Sequence, residues 1–207
     1  MALMVRNLLW LAGAYLLGST PTSYAVARVF RGVDLREYGS KNLGATNLYR
    51  LMGIGAALPV AVYDVLKGTV PVLLALRLHP QPPWFTLLVG LAAVLGHVFS
   101  PFVRFRGGKG VATAAGVFLA LTPWCILVAL VVWVLVVKVT GFVSLGSIVA
   151  AAAFAFSVPL LYPGEWATFA VALMTLGFIV FTHRANVRRL IAGTESRFGT
   201  RSAEAAE

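Results

Sequence analysis

Lys109 stands in a run of glycines, Arg104-Phe105-Arg106-Gly107-Gly108-Lys109-Gly110, and Val111-Ala112-Thr113 opens a helix directly after it. Such a turn presents backbone N–H groups and the positive end of a helix dipole to an anion, and Lys109 adds a point charge. Gly107, Gly108 and Gly110 would let a phosphate come close to the backbone. The run is not a nucleotide-binding Walker loop, because Val103 stands where the first glycine belongs and Gly110 where Ser or Thr should follow the lysine. Nucleoside triphosphate hydrolysis is therefore unsupported. The competing reading is a basic loop resting on anionic lipid headgroups.

Three further clusters combine small residues, hydroxyls, amides and cations. Tyr38-Gly39-Ser40-Lys41-Asn42-Leu43-Gly44-Ala45-Thr46-Asn47 leads into Arg50. Ser40, Asn42, Thr46 and Asn47 are donors to an oxyanion, and Gly44 lets the chain approach it. Alternatively, Thr46 or Asn47 caps a helix. Thr140-Gly141-Phe142-Val143-Ser144-Leu145-Gly146-Ser147 offers Ser144 and Ser147, either as ligand contacts or as a small-residue packing face. His183-Arg184-Ala185-Asn186-Val187-Arg188-Arg189 precedes Gly193-Thr194-Glu195, and His183 and Asn186, three apart, share a face on a helix. A basic amphipathic tail is the plainer reading of that segment.

Ionisable residues also fall inside apolar stretches: Asp64 and Lys67, three apart, and His97 in Leu95-Gly96-His97-Val98-Phe99. At membrane depth each charge costs on the order of 3 kcal/mol, so such groups face a cavity or one another. A satisfied Asp64–Lys67 pair and a packing role for His97 compete here with direct function. Several chemistries lack their residues. No Asp follows any of the three histidines at the fifth position, no Gly-x-Ser-x-Gly occurs, and the seven acids are too scattered to hold Mg²⁺. Cys125, the lone cysteine, excludes a disulfide framework and a thiolate metal site. The expected chemistry uses no metal or cofactor and runs on cations and backbone dipoles.

The elements that must hold these clusters are membrane spans. The 207 residues are 59% hydrophobic and only 12% charged, against about 25% charged in an average soluble domain. Mean hydropathy is +0.87, and 17 Lys+Arg against 7 Asp+Glu give a net charge of +10. The apolar content excludes a disordered chain, and 20 Gly with 10 Pro exclude a coiled coil. Apolar stretches run over about 8–30, 51–78, 84–103, 111–121, 123–138, 145–161 and 166–182, divided by turns such as His79-Pro80-Gln81-Pro82-Pro83 and Tyr162-Pro163-Gly164-Glu165. The first is read as a retained span, since Gly18-Ser19-Thr20-Pro21-Thr22-Ser23 is no cleavage site. The fold class is all-α, a polytopic membrane protein of about seven transmembrane helices, some short or broken.

Basic residues orient it. Fourteen of the 17, including Arg28, Arg50, Arg106, Lys109, Lys138, Arg189 and Arg201, fall at one set of span ends, while only Arg6 and Arg77 lie at the other. The positive-inside rule makes the rich side cytoplasmic, the N-terminus external and the C-terminus internal. Trp10, Trp84, Trp124 and Trp166 lie near the predicted outer ends, as an interfacial belt would. Residues 1–197 read as a single transmembrane domain and 198–207 as a polar tail.

Taken in order, Gly18 to Tyr24, Gly39 to Asn47, Asp64-Val65-Leu66-Lys67-Gly68, Gly96-His97-Val98-Phe99-Ser100-Pro101, Phe105 to Thr113 and His183 to Glu195 resemble the bacterial acyl-phosphate-dependent glycerol-3-phosphate acyltransferases (PlsY). The likeness extends from about residue 17 to 196. It implies a seven-helix inner-membrane enzyme with its active site facing the cytoplasm. Such an enzyme moves a fatty acyl group from acyl phosphate to the sn-1 hydroxyl of glycerol 3-phosphate, giving lysophosphatidic acid and phosphate. The first family motif usually reads Gly-Ser-Gly-Asn, and this chain has Lys41 at the second glycine. Leu43 and Ala185 also depart from the usual pattern.

The combined expectation gives His183, Lys109 and Asn186 catalytic roles. Substrate binding falls to Ser40, Asn42, Gly44, Thr46, Asn47, Arg50, Gly107, Gly108, Gly110, Ser144 and Ser147. Asp64, Lys67, His97 and Glu195 support them. Expected partners are the two phosphate substrates and membrane lipid, with no nucleic acid and no obligate protein. The rival class is a membrane transporter of small organic phosphates, which would call for inverted repeats and a polar path through the membrane.

Overall fold

The computed structural model describes residues 1–79 and 82–199; Pro80-Gln81 of the expected loop and residues 200–207 of the expected tail lie outside the described residues. The regular elements in the described residues are helical. They are α1 (Ala2–Gly18), α2 (Thr22–Arg31), α3 (Ala45–Met52), α4 (Ile54–Leu78), α5 (Pro83–Val98), α6 (Val111–Leu121), α7 (Pro123–Thr140), α8 (Val143–Leu161), α9 (Trp166–Thr182) and α10 (Arg184–Ile191), with a 3₁₀ turn at Pro101–Val103.

The first apolar stretch, expected over 8–30 as one span, forms two helices, α1 and α2, which together still make one stretch long and apolar enough to cross a membrane, Ala2–Arg31. Pro21 has no N–H to continue the ladder, and the hydroxyls of Ser19 and Thr20 donate to the carbonyls of Tyr15 and Leu17. The chain restarts at Thr22 and ends α2 on Gly32, whose left-handed φ of 70° closes the helix. Five helical stretches are long and apolar enough to cross a membrane, and a sixth counts if α9 and α10, bent by 60°, are one span. At eleven residues α6 is roughly 16 Å long, about half a hydrocarbon core.

Among the described residues the helices gather into two compact units, 1–117 and 118–199, and the division falls within α6. In the first unit α1 packs along α5, and α4 packs on α5, α1 and α3. Glycines set the spacing. A β-carbon on Gly18 would strike the Ala93 carbonyl and one on Gly96 the Tyr15 carbonyl, so α1 and α5 meet backbone to backbone. Gly68 and Gly116 do the same for α4 against α6, meeting the carbonyls of Thr113 and Val65. One apolar core (Ala27, Leu35, Leu43, Leu48, Leu51, Val60, Val103) fixes α2, α3 and the loop between them; another joins Ala14 and Ala75 to Phe85, Val89 and Ala93.

In the second unit α8 packs between α7 and α9, and α10 touches both α8 and α9. The rings of Phe118 and Phe154 meet at 4.4 Å. Both units invert the water-soluble pattern. Asn47, Asp64, Lys67, His97, Ser144, His183 and Asn186 are buried, while Leu127, Leu130, Val131, Leu135, Val139 and Leu160 face outward. Apolar side chains outside and ionisable ones inside suit a hydrocarbon solvent.

Candidate active site

The loop from Gly32 to Gly44 is shaped by its own side chains. Arg36 donates to both Asp34 oxygens, at 2.6 and 2.9 Å, and this bond holds the Asp34 carboxyl down to about 2 despite some burial. The Arg36 guanidinium lies 5.2 Å over the Tyr24 ring. Gly39 and Lys41 both take left-handed backbone, with φ of 53° and 57°. For a lysine that conformation is unfavourable, which accounts for the glycine usual at this place in the motif.

Asn47 departs from its expected place among the phosphate donors. Its Oδ1 accepts the Ser40 amide at 2.9 Å, and its Nδ2 donates to the carbonyls of Leu35 and Tyr38. These three bonds engage both ends of a side chain that is 2% exposed, so Asn47 pins the loop and sets the position of Ser40. Neither Thr46 nor Asn47 caps α3: the N-cap is Gly44, whose carbonyl receives the amides of Asn47 and Leu48. Ser40, Asn42, Thr46 and Arg50 are half-buried around this turn.

The glycine loop folds back onto the end of α5. Arg104 and Phe105 both take left-handed backbone, with φ of 57° and 58°, and reverse the chain after the 3₁₀ turn. The Gly107 and Gly108 amides, expected to face phosphate, donate to the carbonyls of Val98 and His97 at 2.9 and 3.2 Å. They satisfy the last carbonyls of α5, and their lack of side chains permits it. A β-carbon on Gly107 would meet the His97 carbonyl, and one on Gly108 the His97 Nε2. Gly110 turns at φ 82° into α6, whose first intrahelical bond runs from Ala114 N to Gly110 O. The amides of the opening turn of α6 therefore point back along the chain toward Lys109. Lys109 is half-buried.

Beneath this loop sit the three buried ionisable residues. Lys67 Nζ lies 2.7 Å from Asp64 Oδ1, with both side chains at most 4% exposed, and also donates to the Thr20 carbonyl at 3.0 Å. Thr22 Oγ1 donates to Asp64 Oδ1 at 3.3 Å, and His97 Nδ1 is 3.8 Å from that oxygen. Thr20, Pro21, Thr22, Leu43, Asp64, Lys67, His97, Gly107 and Gly108 line a cavity of ≈ 10 Å³, about one water in size. The expected pairing of Asp64 with Lys67 is present. What the sequence did not reveal is that the Thr20–Thr22 break delivers a carbonyl and a hydroxyl to the pair.

In the second unit Glu195 is the centre. Its Oε1 accepts from Ser144 Oγ at 2.7 Å and Asn186 Nδ2 at 2.6 Å, and its Oε2 accepts from Arg189 Nε at 2.7 Å. Burial opposes ionisation of this carboxyl, but the three donors together with the Arg189 charge outweigh it and hold its pKa below the ordinary value. His183 occupies the bend between α9 and α10, 3% exposed. Its Nδ1 lies 2.8 Å from the Ile179 carbonyl, which can only accept, so Nδ1 is the donor in this contact. Thus His183 is oriented by α9 and Asn186 by the tail. Ser147 Oγ donates to Val143 O at 2.9 Å, and Gly146 packs against Val137 and Trp133 of α7. The segment after α10 returns to the α7–α8 turn: Phe198 N donates to Gly141 O at 2.6 Å, and Arg197 lies 5.4 Å over the Phe142 ring. Sequence reasoning placed Arg197 among the cytoplasmic cations and Phe198 at the start of the polar tail, and gave neither a contact; a cation beside an aromatic was the only signal.

Comparison with known proteins gives a consistent result. The family model described as glycerol-3-phosphate acyltransferase matches residues 8–193. A glycerol-3-phosphate acyltransferase of Trichlorobacter lovleyi is 47% identical, covering 94% of this chain and 99% of its own. One from Desulfovibrio desulfuricans is also 47% identical, covering 91% and 83%. The crystal structure of the integral membrane glycerol 3-phosphate acyltransferase PlsY in its glycerol 3-phosphate form superposes with a TM-score of 0.87 at 39% identity, covering 94% of this chain and 96% of that one. Its lysophosphatidic acid form gives a TM-score of 0.84.

Proposed function

Because the chain belongs to the glycerol-3-phosphate acyltransferase family, we propose that it transfers a fatty acyl group from acyl phosphate to the sn-1 hydroxyl of glycerol 3-phosphate. The observation that carries this reading is the likeness, over 94% of the chain, to an enzyme solved in its glycerol 3-phosphate form. The hydroxyl oxygen bonds to the acyl carbon, the bond from that carbon to the phosphate oxygen breaks, and 1-acyl-glycerol 3-phosphate and inorganic phosphate leave. Phosphate is already a good leaving group. The protein therefore needs mainly to bring two anions together and stabilise the charge that develops on the carbonyl and phosphate oxygens.

Ser40 and Thr46, with amides of the loop that Asn42 and Gly44 shape, hold the phosphate of the acyl donor. Asn47 contributes through Ser40, whose amide it anchors. Arg50, Lys109, Ser147, His183 and Asn186 bind and orient glycerol 3-phosphate, and Gly110 with the α6 N-terminus adds dipolar attraction for its phosphate. Gly107 and Gly108 serve by placing Lys109, since their amides are bonded to α5. Ser144 and Glu195 fix Asn186. Two groups compete for the hydroxyl proton, His183 Nε2 and the departing phosphate. If His183 is the base, His183→Gln lowers kcat by about 10²- to 10⁴-fold; if phosphate takes the proton, kcat falls far less and KM for glycerol 3-phosphate carries the change.

The chain crosses the membrane seven times, counting the five long spans, the bent α9–α10 pair and the short α6. Its N-terminus is external and its active site cytoplasmic. The crowding of basic residues at one set of span ends supports this orientation. The test of function is direct: purified protein with palmitoyl phosphate and radiolabelled glycerol 3-phosphate yields labelled lysolipid. No lysolipid, with labelled uptake into proteoliposomes instead, would identify a transporter.

A further inference from the structure

Asp64, Lys67 and His97 are buried ionisable groups that the transfer chemistry does not use. They lie in the first unit and converge under the loop that bears Lys109. Lys67 links Asp64 on α4 to the Thr20 carbonyl at the break between α1 and α2. Asp64 accepts from Thr22 and stands 3.8 Å from His97 Nδ1, a ring atom that is buried and makes no hydrogen bond among the described residues. The opposite edge of the same ring, at Nε2, presses on the Gly108 backbone so closely that a β-carbon there has no room. The His97 carbonyl meanwhile accepts the Gly108 amide at 3.2 Å. The histidine therefore holds the loop twice, by its main chain and by the far edge of its ring. Asp64 faces the near edge, where it can set the ring's tilt.

We propose that the Asp64–Lys67–His97 network is a positioning device that fixes the glycine loop, and through it Lys109, with His97 as the strut. The proposal rests on the reading of Lys109 as a glycerol 3-phosphate ligand. A histidine suits the place better than an apolar residue of similar size. One ring edge must remain polar toward a buried carboxylate, 3.8 Å away, while the other edge bears on backbone. The strut is a positioning residue and not a catalytic one, because what it touches is the loop.

The test is a double-mutant cycle between His97 and Gly108 in purified, membrane-reconstituted enzyme. His97→Asn keeps an amide toward Asp64 but removes the edge that bears on Gly108. It is expected to raise KM for glycerol 3-phosphate about tenfold, leaving kcat and the KM for palmitoyl phosphate nearly unchanged. Gly108→Ala alone drives a methyl into the ring, shifts the loop and is expected to cost about 100-fold in kcat/KM. In the double variant the methyl enters the space the ring vacated, so the cost returns to that of His97→Asn or below. Multiplying costs would overturn the proposal, because the two residues would then act independently. A His97→Asn variant that loses kcat with KM unchanged would overturn it too. Should His97→Asn fail to accumulate, His97→Ser takes its place in the cycle; His97→Gln, which keeps an amide near the Nε2 position, is the control that should hold KM near wild type, and a failure to do so counts against the strut. Lys109→Met run in parallel separates the two readings. An unchanged KM there removes the premise and the inference together, whereas a raised KM with multiplying costs removes the strut alone.

Discussion

Lys41 sits in left-handed backbone, φ 57°, where the family motif usually has glycine. The conformation costs an L-residue about 1–2 kcal/mol, offset in part by the greater unfolded freedom of glycine, about 0.5–1 kcal/mol. Lys41→Gly should therefore stabilise the protein by about 0.5–1 kcal/mol, read as a melting temperature higher by about 2 °C. An unchanged or lower melting temperature would mean that the lysine side chain compensates for its backbone. Glu195 gives a pH prediction. Its pKa is lowered from 4.5 in the folded state, so its stabilisation is complete above the unfolded value and is lost as pH falls through the folded one. Wild type should lose melting temperature on acidification below about pH 4.5, and Glu195→Gln, already lacking the ionised acceptor, should show a flatter profile at a lower plateau. At this level residue types were legible, but not which donors were already engaged. Ser40, Thr46 and Lys109 could be read as phosphate chemistry from their neighbours. That Asn47 is occupied by Leu35, Tyr38 and Ser40, and that the Gly107 and Gly108 amides belong to α5, depends on tertiary partners that spacing does not encode.

Helices were legible because hydrocarbon demands long apolar runs with polar punctuation. The stretches expected at 111–121 and 166–182 coincide with α6 and α9, and the end of that at 51–78 with the end of α4. The break after Gly18 was missed because Ser and Thr continue apolar helices readily, and only Pro21 together with back-bonding hydroxyls ends this one. Close approach between helices was equally hidden, since a glycine in an apolar run reads the same whether it faces lipid or a neighbour. Gly68 meets the Thr113 carbonyl of α6, whereas Gly177 has open space around it. Gly68→Leu should therefore force α4 and α6 apart and destabilise by about 1–3 kcal/mol or more, while Gly177→Leu should be nearly silent. Thermal unfolding of the two variants side by side checks the distinction, and equal losses would refute it.

The buried charges and exposed aliphatic side chains make sense only with lipid as solvent, and composition alone announced as much. Orientation can be tested with introduced cysteines, because the native thiol, Cys125, is buried. In intact cells a membrane-impermeant maleimide should label Leu3→Cys at the exposed N-terminus and spare Arg197→Cys until the membrane is opened. The reverse pattern would invert the topology. The central claim is that a basic arrangement of hydroxyls, amides and cations joins two phosphate-bearing substrates. The most direct measurement is labelled lysolipid formed from palmitoyl phosphate and glycerol 3-phosphate by the purified enzyme, compared with Lys109→Ala at matched folding. The prediction is robust turnover by the wild type and a loss of about 100-fold or more in kcat/KM for glycerol 3-phosphate in the variant, the scale expected when a group that orients a substrate is removed. Full activity in Lys109→Ala, or no lysolipid from the wild type, would contradict it.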